Sequence, residues 1–71
     1  MGVKLSPEDR FGVVAVKSGF ITPEQLTDTL ITQVLEELIG AKRRLIGKIL
    51  YEKGPITMSQ IDEVLVSMSM S

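Results

Sequence analysis

Apolar residues recur at helical intervals along most of this chain. Leu26, Leu30, Ile31, Val34, Leu35 and Leu38 form a stripe of the kind a helix turns toward a core, and Thr27, Asp28, Thr29, Glu36 and Glu37 lie off it. Ile46, Ile49 and Leu50 follow at i, i+3, i+4, and Ile61, Val64, Leu65 and Met68 at i, i+3, i+4, i+7. The segment FGVVAV, residues 11 to 16, is ambiguous, because its β-branched residues also suit a short strand.

Start and stop signals frame these segments. Ser6 is placed to cap a helix beginning at Pro7, whose missing N–H costs nothing in a first turn, with Glu8 and Asp9 facing the positive dipole end. Thr22 and Thr57 each open a T-x-x-Q capping box, closed by Gln25 and Gln60. Gly19, Gly40 and the pair Gly54-Pro55 are the expected stops, with Gly19 and Gly54 as left-handed caps.

The same frame occurs twice. KSGFITPEQL at 17 to 26 is echoed by EKGPITMSQI at 52 to 61, and residues 10 to 33 lie over 45 to 68 without a gap. Gly12 matches Gly47, Gly19 matches Gly54, Ile21 matches Ile56 and Leu30 matches Leu65. The unit is a short helix, a glycine stop, an Ile-Thr cap and a longer helix. Helical spacing in the second copy resolves the first: Phe11, Val14 and Ala15 take the sites of Ile46, Ile49 and Leu50, and both segments read as helices. One helical hairpin cannot bury its own apolar face, so the expected fold is all-α, with two tandem hairpins forming one domain over 1–71. Repeat one spans about 10–33, the linker about 34–44 and repeat two about 45–68. Gly12 and Gly47, inside the short helices, each cost about 1 kcal/mol against alanine. Their shared register points to a close approach by another helix or by a ligand.

Length and composition narrow the function. A chain of 71 residues holds one domain and hides only about 60% of its unfolded surface, so a partner subunit would help it. With 44% hydrophobic and 24% charged residues it is globular rather than a disordered tail. It has no cysteine and no histidine, which removes disulfides, thiolate and imidazole metal sites and histidine-based catalysis. The absence of cysteine fits a reducing compartment, and the cytoplasm is the expected location. No apolar run reaches membrane-spanning length, no signal-peptide pattern opens the chain, and no membrane insertion is expected. MGVKLS matches the N-myristoylation pattern M-G-x-x-x-[ST] at Gly2, a short pattern of low specificity.

Net charge is −1, but its distribution is polar. Glu24, Asp28, Glu36 and Glu37 are negative, whereas Lys42, Arg43, Arg44, Lys48 and Lys53 are positive with Glu52 among them. That basic cluster either attracts phosphate or an acidic partner, or is a solvated linker that offsets the acidic second helix. Only Phe11, Phe20 and Tyr51 are aromatic, and without a stacking platform nucleic-acid binding is disfavoured. Met58, Met68 and Met70 read either as an adaptable binding surface or as core and a frayed end. Glu36-Glu37 and Asp62-Glu63 are adjacent pairs that share no helix face, so no acid–base constellation is evident and no enzyme is expected.

The first copy, RFGVVAVKSGFITPEQLTDTLITQ, resembles the repeat R-L-G-x-x-L-x-x-x-G-x-x-x-x-x-x-L-x-x-x-L-x-x-Q. That repeat belongs to the N-terminal domain of type II secretion and type IV pilus assembly ATPases, and the resemblance covers about residues 10 to 68. In the branch that binds cyclic di-GMP, two tandem copies form a helical platform for the dinucleotide. Related copies of the domain dock protein partners of the secretion machine. Arg10, Gly12, Gly19, Leu26, Leu30 and Gln33 match the motif, with Phe11 and Ala15 replacing aliphatic residues. In the second copy Gly47, Leu50, Gly54 and Leu65 match and Ile61 is conservative. Leu45 stands where the arginine belongs, with Arg44 one position early, and Met68 replaces the glutamine. No Walker A pattern is present, so the family's ATPase activity is not implied.

The resemblance implies a non-catalytic regulatory or adaptor module that requires no cofactor. Two mechanisms follow from it: docking of a protein partner or a homo-oligomer through an apolar face, or sensing of cyclic di-GMP. In the second, Arg10 would fork onto a phosphate or stack on guanine and Gln33 would bond a base edge or backbone. Otherwise Arg10 pairs with Glu8 or Asp9, and Gln33 is a hydrated helix edge. Helix-turn-helix DNA binding is the weakest alternative, resting on helix count and the basic linker alone.

Overall fold

The computed structural model describes residues 6–42 and 44–70. They form four helices: α1 (Pro7–Lys17), α2 (Pro23–Leu38), α3 (Ile46–Lys53) and α4 (Met58–Met70). No strand occurs among the described residues, so FGVVAV is helical. Gly2 and most of the myristoylation pattern lie outside the described residues, as does Arg43 of the basic cluster.

The capping chemistry forms as its residue types dictate. Ser6 Oγ accepts from the Asp9 N–H at 3.2 Å, opening α1. At Thr22 the box is reciprocal: Thr22 Oγ1 accepts from the Gln25 N–H at 3.1 Å, and Gln25 Oε1 accepts from the Thr22 N–H at 2.9 Å. Thr57 and Gln60 repeat this at 3.1 and 3.0 Å. Gly19 and Gly54 have φ of +81° and +101°, a region that side-chain-bearing residues avoid, and each turns the chain out of a short helix.

The two copies interlock. Each long helix packs on the short helix of the other copy, α4 on α1 and α2 on α3, while α1 and α3 also pack on each other. Phe11, Ala15, Ile21, Ile46, Leu50, Ile56 and Val64 form the buried cluster. Register explains most of it: Phe11 and Ile46, Ala15 and Leu50, Ile21 and Ile56 are corresponding positions of the two copies.

Position 29 corrects the expectation for α2. Thr29, expected off the apolar stripe, is 1% exposed, and its counterpart in the second copy is the buried, nearly isosteric Val64. Its hydroxyl donates to the Gln25 carbonyl at 2.8 Å, so burial leaves no orphan group. The inward face of α2 therefore runs through Leu26, Thr29, Leu30 and Gln33. The later stripe residues Ile31, Val34, Leu35 and Leu38 turn outward and are exposed. The reason is geometric: at 3.6 residues per turn, the stripe drifts around the helix, and only its N-terminal half meets α1 and α3. Thr29→Val is expected to leave stability unchanged or slightly raised in urea denaturation. A loss above about 1 kcal/mol would show that the hydroxyl bond is required.

Candidate functional site

Gly12 and Gly47 admit neighbours from within the chain. A Cβ at Gly12 would lie 2.5 Å from Leu26 Cδ1, so α2 presses its leucine directly onto α1. A Cβ at Gly47 would lie 3.2 Å from Phe11 Cζ, so the ring of α1 rests on α3. Both glycines thus serve close packing between helices, and packing of this kind accounts for the shared register without a ligand.

The polar candidates of the first copy are also occupied. Gln33 Nε2 donates to Glu8 Oε1 at 2.6 Å and to the Arg44 carbonyl at 3.0 Å. Glu8 Oε1 accepts in addition from the Ile46 N–H at 3.0 Å. Leu45, at the N-cap of α3, has no side chain able to cap, and the distant Glu8 carboxylate fills that role. Gln33 is accordingly neither a hydrated edge nor a free ligand group. It joins α1, α2 and the start of α3 through one carboxylate oxygen.

Arg44 braces the linker. Its guanidinium forks onto both carboxylate oxygens of Glu36, through Nη2 and, at 3.2 Å, through Nε; Nη1 reaches Glu52 at 3.1 Å. These hydrogen bonds hold the Glu36 carboxyl below the usual carboxylate range and raise Arg44 above the ordinary arginine value. Nearby, Lys53 Nζ donates to Thr32 Oγ1 at 2.9 Å. Arg44 and Lys53 of the basic cluster are thus engaged with α2.

The second copy is arranged differently. Its motif positions converge on a groove of about 520 Å³ between the start of α1, α3 and α4. Gly47, Ile61 and Leu65 line it at the sites that correspond to Gly12, Leu26 and Leu30. Leu45 and Met68, standing where the motif has arginine and glutamine, line it too. Tyr51 and Met58 complete walls that are almost wholly apolar, with Glu8 and Lys48 at the polar margin. Leu45, Tyr51, Met58 and Leu65 are each about half exposed or more.

Of the ten residues singled out from the sequence, Gly47 and Leu65 line this groove. Arg10 is exposed on α1, Gly19 and Gly54 are turn residues, and Leu26 and Leu30 pack against the core. Gln33 and Arg44 belong to the brace. Leu45, Tyr51 and Met58 were not singled out as site residues. Leu45 and Met68 carried a signal nonetheless, since both replace a polar motif residue by an apolar one in the same copy.

Among the described residues no group of three or more carboxylates is placed to hold a metal ion. No helix among them is long and apolar enough to cross a membrane. Compared with known proteins, the chain matches no family model, no curated protein and no solved structure.

Proposed function

We propose that this chain is a non-catalytic docking module, similar in kind to the secretion-ATPase N-terminal domain, that takes apolar side chains of a protein partner into the groove between α1, α3 and α4. The observation that carries this reading is the change of character at the two departures from the motif. Where a phosphate or base reader would need an arginine and a glutamine, the second copy presents Leu45 and Met68, and both form groove wall. An exposed apolar concavity with a narrow polar margin suits aliphatic or aromatic anchors of a polypeptide better than a doubly charged dinucleotide. Engagement of Gln33 by Glu8 and of Arg44 by Glu36 and Glu52 also favours docking over cyclic di-GMP sensing.

Two measurements test the reading together. Leu65 is 50% exposed on α4, so Leu65→Glu places a charge in the groove without disturbing the core. Affinity capture with the wild-type chain is expected to recover a partner that Leu65→Glu loses, and calorimetric titration with cyclic di-GMP, with GTP as control, is expected to give no heat. Selective heat with cyclic di-GMP that disappears in Arg10→Ala would overturn docking in favour of the sensor. Equal capture by the wild type and Leu65→Glu would remove the groove as the docking surface.

A further inference from the structure

The second half of α2 carries an apolar strip that no other helix among the described residues covers. Ile31, Val34, Leu35 and Leu38 fall at i, i+3, i+4 and i+7 on its outward face, the spacing of a helix–helix seam. Leu38 is 76% exposed and Ile39, next to it, 79%. The strip is separate from the groove, whose walls include no residue of α2.

Toward the N-terminus the same face of α2 continues through Glu24, Thr27 and Asp28, all exposed. Past Leu38 the chain leaves the helix and turns at the left-handed Gly40. Laid antiparallel on a second copy and centred on Val34 and Leu35, the strip sets Ile31 against Leu38 of that copy and keeps the acidic N-terminal turns of the two helices apart. A parallel arrangement would instead set Glu24 and Asp28 against their own copies. Antiparallel packing also opposes the two helix dipoles favourably.

We propose that two copies of this chain pair through this face of α2, antiparallel about a two-fold axis near Val34 and Leu35. Such an isologous contact closes on itself and yields a dimer rather than a filament. Two strips this exposed bury on the order of 1,000 Å² when apposed, near the lower limit of a specific interface. The dimer is therefore concentration-dependent. It leaves the groove of each copy open.

Sedimentation equilibrium across a concentration series tests the pairing. The wild type is expected to pass from monomer to dimer, and Leu35→Glu or Leu38→Glu, which buries a charge in the seam, to raise the dissociation constant about tenfold or more. Leu65→Glu, in the groove, is expected to dimerise as the wild type does. Circular dichroism of each variant verifies equal helicity. A wild type that stays monomeric to about 1 mM, where specific association is already weak, would overturn the proposal. So would a dimer indifferent to Leu38→Glu or one lost in Leu65→Glu.

Discussion

Leu50→Ala is expected to lower the unfolding free energy by about 2–5 kcal/mol, read as a fall in the urea midpoint at unchanged slope. Leu50 is fully buried in the cluster that joins Phe11 and Ala15 of α1 to Val64 of α4, so truncation opens a cavity where several helices meet. The corresponding site in the first copy already holds Ala15, and the change leaves both copies with only a methyl group at this register. A chain of 71 residues has a total stability of about 4–10 kcal/mol at ordinary values per residue. The loss is thus a large share of the whole, and a visible unfolded population at 37 °C is part of the expected result. Leu65→Ala, half exposed on α4, is the internal control and is expected to cost far less. Equal losses at the two sites, or a loss below about 1 kcal/mol at Leu50, would contradict the burial described for this core.

Glu8→Ala is expected to cost about 1–3 kcal/mol, more than an acid in the first turn of an exposed helix ordinarily contributes. One carboxylate oxygen accepts from the Gln33 amide and from the Ile46 N–H, and its removal leaves two half-buried donors without it. Glu8→Gln retains an acceptor oxygen and is expected to keep most of the stability. Replacing both partners by apolar groups is less costly than orphaning one, so adding Gln33→Met to Glu8→Ala is expected to recover part of the loss. That second change copies Met68, which occupies the matching register in the other copy. Thermal unfolding of the three variants beside the wild type decides the matter: a Glu8→Ala protein that melts with the wild type would show that the oxygen holds nothing together.

The two residues in these predictions stand differently in the sequence. Leu50 belongs to an i, i+3, i+4 pattern within the repeat, and its burial follows from period and register alone. Glu8 reads as an ordinary dipole-facing acid, because its partners lie 25 and 38 residues away and no local rule links them. Thr29 lies between these cases. Composition placed it off the stripe, whereas the alignment with Val64 would have placed it inside.

What the chain itself determined was everything that depends on neighbours a few residues apart. The four helices, the Ser6, Thr22 and Thr57 caps and the left-handed Gly19 and Gly54 all follow from short-range sterics and hydrogen bonding, and they appear as expected. Only tertiary structure decided which face of each helix meets another. An apolar stripe longer than its partner surface must leave one part uncovered, and α2 leaves its second half. The glycines at 12 and 47 likewise demanded a close approach, but their own residues could not name Leu26 and Phe11 as what approaches. The groove at Leu45 and Met68 is the same lesson at the site, because a concavity belongs to the space between helices and is written in none of them singly.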